Sequence, residues 1–210
     1  MNSNYKVIKF RSNNSKEVND QISIEEPLEI ILKYKDKENW IENTISITMR
    51  TPGDDEDLVT GFLFNERVIE KISHIENIVA SGEPVGQYKL QNKVIITINN
   101  SENIDIDKIK RNFLTNSSCG VCGKTSLESL EIIKKDKILK SIPKIHHEII
   151  MKSPDILKQN QSEFSKTGGI HASGLFRANG EIIAVKEDVG RHNALDKLIG
   201  FVLKQNLLDN

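Results

Sequence analysis

Lys186-Glu187-Asp188-Val189-Gly190-Arg191-His192-Asn193-Ala194-Leu195-Asp196-Lys197 joins two different periodicities. Upstream, Glu181–Glu187 is rich in β-branched residues and predicts an apolar strand. Downstream, Ala194, Leu195, Leu198, Ile199, Val202 and Leu203 recur at helical spacing and predict a helix over Arg191–Gln205 with one core-facing stripe. A strand that runs straight into an amphipathic helix is a building block of an α/β architecture. One cap serves a helix N-terminus, and Asp188 can supply it. The junction carries many more ionisable and amide side chains than capping requires. Arg191 and the helix amides suit a phosphate group. His192 and Asn193 suit the hydrogen-bonding edge of a base or pterin. The place where strand ends meet helix starts is where α/β sheets bind ligands.

Working back along the chain, His171–Arg177 and Glu181–Glu187 predict a hairpin around Ala178-Asn179-Gly180, because Asn-Gly favours a tight turn. Before it stands Thr167-Gly168-Gly169-Ile170-His171-Ala172-Ser173-Gly174. Two adjacent glycines let a ligand approach backbone amides closely. They equally suit a helix C-cap followed by a turn, with His171 a structural residue at a strand start, and residue physics alone favours that simpler reading. Ser153-Pro154-Asp155 predicts a helix start, cap then proline, with the helix running to about Lys166 and stopping at Gly168-Gly169. Lys144–Lys152 predicts a strand.

The only two cysteines lie in Ser117-Ser118-Cys119-Gly120-Val121-Cys122-Gly123-Lys124-Thr125. Glycine after each cysteine permits a mobile backbone. Leu127, Leu130, Ile132 and Ile133 predict a helix to about Lys135, capped by Thr125 or Ser126. That helix start and Lys124 both favour a thiolate, the reactive form. The pair reads as nucleophilic or sulfur-carrying. Half a zinc site and a redox disulfide are the alternatives. A structural zinc needs four ligands. His146, His147, His171 and His192 are available to complete one, but none has the spacing of a zinc-finger pair.

The first half predicts a small β-rich unit. Residues up to about Asp20 read as a loose arm with one short strand at Tyr5–Phe10. Leu28–Tyr34 and Trp40–Arg50 predict a hairpin about Asp36-Lys37-Glu38-Asn39, with apolar and polar residues alternating in Ile45-Ser46-Ile47-Thr48-Met49. Thr51-Pro52-Gly53-Asp54-Asp55-Glu56 breaks the strand and opens a helix over Glu56–Asn65 with an acidic first turn. Ile75–Ser81 and Tyr88–Ile98 predict a second hairpin. Ser101–Thr115 predicts a short strand and a helical turn.

With 29 basic and 30 acidic residues in 210, the net charge of −1 gives no electrostatic reason to bind nucleic acid or an anionic membrane. No apolar run is long enough to span a bilayer. The N-terminus lacks the form of a signal peptide, so the expected location is cytoplasmic. There a C-x-x-C pair is catalytic or metal-binding more often than a staple.

Four blocks in order resemble the formate dehydrogenase accessory sulfurtransferases, the FdhD/NarQ family. They are Thr51-Pro52-Gly53-Asp54-Asp55-Glu56-Asp57-Leu58 with Gly61-Phe62-Leu63; Ser118-Cys119-Gly120-Val121-Cys122-Gly123-Lys124; Thr167-Gly168-Gly169-Ile170-His171-Ala172; and Glu187 through Lys197. The resemblance implies an α/β fold, α+β overall. A small β-rich unit over residues 1–110 precedes a cytidine-deaminase-like α/β domain over residues 111–210, without that fold's catalytic zinc motif. Family members continue past the last helix with further strand–helix units, so the resemblance implies a domain C-terminally truncated at Leu207-Leu208-Asp209-Asn210.

The implied activity is that of a cytoplasmic sulfurtransferase, a persulfide carrier required for formate dehydrogenase activity. Sulfur passes from a cysteine desulfurase to the molybdenum or tungsten bis-molybdopterin guanine dinucleotide, which is bound as a substrate before insertion into formate dehydrogenase. Carried over by motif, Cys119 holds the persulfide with Cys122 as partner or relay. Gly168, Gly169, His171, Arg191, His192 and Asn193 line the cofactor site. A homodimer is implied, and no tightly held metal. The competing functions are a non-catalytic chaperone for the molybdenum cofactor and, more weakly, a zinc-dependent deaminase-like hydrolase. Persulfide formation separates the first two, and a zinc assay the third.

Overall fold

Leu28, Ile30, Leu32 and Tyr34 alternate with more exposed residues along the chain, and strand β3 (Glu26–Asp36) turns all four into the core. In the computed structural model β3 is a central strand of a four-stranded sheet. Its neighbours are β4 (Asn39–Arg50), β6 (Lys93–Ile98) and, beyond β6, β5 (Ile75–Ser81), in the order β4-β3-β6-β5. Pairing is antiparallel for β3–β4 and β5–β6 and parallel for β3–β6. The structure describes residues 2–207 apart from 13, 87 and 100–143. The expected elements in Ser101–Thr115, the Cys119/Cys122 loop and the helix after it lie outside the described residues.

A parallel neighbour requires a crossover, and helix α1 (Asp55–Asn65) lies within it, between β4 and β5. Leu58, Val59 and Leu63 of α1 pack with the inward residues of β3 and β6 into one buried cluster. Each large apolar side chain so buried contributes about 1.5–3 kcal/mol. Arg50, 1% exposed, fastens the start of α1 to the sheet. Its guanidinium donates to both carboxylate oxygens of Asp55 (2.9 and 3.0 Å), to the Glu26 carbonyl and to Asn92 Oδ1. A buried guanidinium with paired donors in fork geometry is held rather than stranded.

The C-terminal elements are helix α2 (His147–Gln159), the short helix α3 (Ser162–Thr167), the antiparallel hairpin β7 (His171–Phe176) and β8 (Ile182–Asp188), and helix α4 (Arg191–Lys204). The hairpin matches the sequence reading, and so does the α4 stripe except at Leu195, which is 45% exposed. The chain is thus a mixed α+β fold with several sheets, as expected. No helix among the described residues is long and apolar enough to cross a membrane.

Three local expectations are corrected. Lys144–Lys152 is not a strand: most of it belongs to α2, and Ser153-Pro154 lies inside that helix rather than at its start. Pro154 removes an N–H that the Ile150 carbonyl would accept. The Ser153 hydroxyl donates to that same carbonyl at 2.8 Å, so the helix continues through the proline. The first 20 residues are not a loose arm. They form β1 (Asn2–Arg11) and most of β2 (Asn14–Ser23), paired about a turn with Ser12 at φ 51°. Ion pairs Lys6–Glu17 and Lys9–Asp20 cross that hairpin. Strand β6 starts at Lys93, because Val85 and Leu90 close a small turn of their own with Gly86 at φ 69°.

Candidate functional site

The site is assembled around a buried carboxylate. Asp188 ends β8 with 0% exposure, and Lys197, one and a half turns into α4, is 2% exposed. The Lys197 ammonium lies 2.7 Å from Asp188 Oδ2 and donates to the Thr51 carbonyl at 2.8 Å. The Glu187 carbonyl stands at 3.5 Å as the third acceptor. Three donors therefore meet three acceptors. Asp188 also accepts from the backbone N–H of Thr51 (3.1 Å) and of Gly190 (2.9 Å) and from the Asn193 amide (3.1 Å). The Thr51 hydroxyl in turn accepts from Val189 N–H at 3.0 Å.

This network brings together stretches separated by more than 130 residues. Thr51 stands at the end of β4, where Gly53 (φ 108°) and Asp54 (φ 55°) turn the chain into α1. Asn193 closes the lock from α4: its amide donates to the Met49 carbonyl at 2.7 Å, and its oxygen accepts from the Thr48 hydroxyl. A Cβ at Gly190 would come to 3.0 Å from Asn193 Nδ2, so a side chain there would press on this lock. Lys186 adds ion pairs from β8 to Asp54 (3.1 Å) and Asp57 (2.8 Å).

The glycine block joins the same place by register. His171 at the start of β7 pairs with Asp188 at the end of β8. Glu187 reaches across to α3, where its carboxylate accepts from the N–H groups of Glu163 and Phe164, both at 2.9 Å. Gly168 is the left-handed C-cap of α3, φ 66°, with its N–H on the Phe164 carbonyl. The capping reading of that glycine therefore holds, and Gly168 and Gly169 are exposed.

Of the expected cofactor-lining residues, Gly168, Gly169, His171, Arg191 and His192 are exposed at one end of the β7–β8 hairpin. Arg191 and His192 open α4, whose N-cap Gly190 offers no side-chain hydrogen bond to the helix amides, and His171 pairs with Asp188 two residues before that cap. Asn193 is placed differently: it is 8% exposed and its side chain is engaged within the lock. Cys119 and Cys122 lie outside the described residues. Sequence reasoning missed Thr51 and Lys197 as members of the network. The one available signal was a lysine inside an apolar helical stripe.

Helices α1 and α4 cross at two glycines, Gly61 and Gly200, where each backbone sits against the other helix. Beside this crossing, Asp196 accepts from the Asn65 amide at 2.6 Å. Burial is the main cause that raises its carboxyl from the ordinary range to about 7; the Asn65 hydrogen bond opposes this, while Glu66 and Asp188 add to it. A carboxyl raised in the fold leaves stability intact below its unfolded value and loses it as pH rises through the folded one. Asp196→Asn should therefore be close to neutral near pH 4 and stabilising at pH 8. The limit is about 4 kcal/mol for a carboxyl raised to about 7. Urea melts of both proteins at the two pH values check the sign.

The fold is one already seen in a solved structure. A crystal structure of a chain from Desulfotalea psychrophila, described as a formate dehydrogenase accessory protein, superposes with a TM-score of 0.58 over 96% of this chain and 68% of that one, at 22% identity. The model of the FdhD/NarQ family matches residues 23–209, and the chain belongs to that family. A "Sulfur carrier protein FdhD" from Picrophilus torridus is 44% identical over 90% of this chain and 66% of its own length. One of the same name from Streptomyces coelicolor is 39% identical over 95% of this chain and 68% of its own length. The chain thus spans about two thirds of the length of these relatives.

Proposed function

We propose that this protein is a sulfur carrier serving formate dehydrogenase. Cys119 takes the sulfur, Cys122 assists, and the exposed rim of Gly168, Gly169, His171, Arg191 and His192 holds the molybdenum or tungsten bis-molybdopterin guanine dinucleotide as substrate. Family membership and the names of the relatives support the sulfur role. The observation that carries the cofactor rim is the gathering of exposed basic and glycine residues at a helix start that no side chain caps. Phosphate groups suit such a place because the helix amides point outward and the dipole favours negative charge. Asn193 acts here as a residue that sets the geometry of the rim.

A Cys119 thiolate attacks the outer sulfur of a cysteine desulfurase persulfide; that S–S bond breaks, a new one forms on Cys119, and the donor leaves as a thiolate. For delivery as sulfide, the Cys122 thiolate attacks the inner sulfur. Its electron pair makes the Cys119–Cys122 disulfide while the outer sulfur departs reduced, and a thiol reductant restores the pair. On this reading the protein works in the cytoplasm, as a homodimer, with the desulfurase and formate dehydrogenase as partners.

The test has two arms. Intact mass after incubation with a cysteine desulfurase and cysteine should show added sulfur that Cys119→Ala removes or reduces more than Cys122→Ala. Sulfur retained by the double alanine variant overturns the carrier role. Separately, Arg191→Ala and His192→Ala should each weaken binding of a guanine nucleotide at unchanged melting temperature. The loss of one charge-assisted contact corresponds to about 1.5–3 kcal/mol. Unchanged affinity sinks the rim assignment.

A further inference from the structure

His146, His147 and Glu148 stand together at the start of α2, and their ligand atoms all lie within 4.8 Å of one another. We propose that they form a surface site for a divalent transition-metal ion of the zinc class. Successive residues of a continuous helix diverge around the axis and do not face each other. His146 escapes this because it is the N-cap, with extended backbone at φ −66° and ψ 137°. The two imidazoles therefore meet, with ring centroids 4.4 Å apart and planes tilted by 34°. All three residues are exposed.

Among the described residues neither imidazole makes a hydrogen bond, and Glu148 has one loose contact, with Lys152 at 4.0 Å. Two imidazoles and a carboxylate are the donor set that binds zinc, nickel, copper and cobalt ions. Metal bonds of about 2.0–2.1 Å at tetrahedral angles put ligand atoms roughly 3.4 Å apart. Rotating three exposed side chains supplies the remaining closure without moving the backbone. The positive end of the α2 dipole opposes a cation here, and the Glu148 carboxylate offsets it. Three protein ligands leave a position open to water or to a fourth donor. Such a site exchanges its ion freely, unlike a closed structural zinc.

The chain's two cysteines are the competing metal ligands, and cobalt distinguishes them. Titration of the full chain with Co²⁺ should give a visible d–d spectrum without the near-ultraviolet charge-transfer band of a thiolate ligand. His146→Ala and His147→Ala should each weaken Co²⁺ and Zn²⁺ binding by about tenfold or more, as loss of a direct ligand exceeds the 10–100-fold range seen for outer-shell partners at its lower end. Their melting temperatures without metal should match the unsubstituted chain, because both side chains are exposed. Cys119→Ser with Cys122→Ser should leave the d–d signal intact. Unchanged affinity in the histidine variants overturns the proposal. So does a cobalt spectrum carried wholly by thiolate and abolished by the cysteine substitutions.

Discussion

Lys197→Met should destabilise the chain by about 3–5 kcal/mol, the range for removing one partner of a buried ion pair. The replacement fills a similar volume, so the loss is not one of packing. What it removes is the ammonium that meets Asp188 Oδ2 at 2.7 Å and the Thr51 carbonyl at 2.8 Å. A fully buried carboxylate then keeps its N–H donors but loses its counter-charge, and the Thr51 carbonyl loses its partner. Adding Asp188→Asn to Lys197→Met should restore part of the stability, because no uncompensated charge remains. The effect should persist in high salt, since screening acts weakly on a buried pair. Urea denaturation of the single and double variants measures both effects. A loss below about 1 kcal/mol, typical of an exposed pair, would show that this ion pair does not hold α4 against the turn at Thr51.

Gly200→Ala, and likewise Gly61→Ala, should cost about 3 kcal/mol, at the upper end for overpacking a tight core. Glycine inside a helix is ordinarily a weakness, and alanine there gains about 0.5–1 kcal/mol. The predicted sign is the reverse, for a local reason. A Cβ at Gly200 would fall well inside contact range of the Asp57 carbonyl, and one at Gly61 inside that of the Asp196 carbonyl. Both obstacles are backbone, so no side-chain rotation relieves them. The helices must move apart, which strains the Lys204 contacts with Glu56 (2.9 Å) and Asp57 (3.1 Å). Thermal melts decide it: a higher melting temperature for either alanine variant would mean that the crossing adapts and helix propensity wins.

Much of this was legible in one dimension. Alternation in Leu28–Tyr34 and the apolar stripe of Ala194–Leu203 each record burial on one face, and a face repeats with the period of its own element. Asn179-Gly180 marked the β7–β8 turn because glycine accepts the positive φ it takes there, 89°. The crowding of polar side chains at the strand–helix junction singled out Arg191 and His192, which stand exposed at the α4 start. Elsewhere local signals failed because a neighbouring hydroxyl or a cross-strand partner changed their meaning. Ser153-Pro154 has the form of a helix start, and one hydroxyl on the Ile150 carbonyl carries the helix through it. Residues before Asp20 read as an arm because the cross-strand pairs there, Val7–Val18 apart, are polar or charged on at least one side.

Asn193 shows the difference most plainly. Its neighbours suggested a ligand contact. Burial against Met49, Thr48 and Asp188 instead uses its amide to tie α4 to the end of β4. Sequence by itself determined the β3–β4 and β7–β8 hairpins, the helices α1 and α4, and the family, since those depend on residue type and local spacing. Only the tertiary structure decided which of the polar residues at the α4 start face outward and which are used up inside. That choice rests on Thr51, 137 residues before Asp188, and no local pattern records a partner so far along the chain.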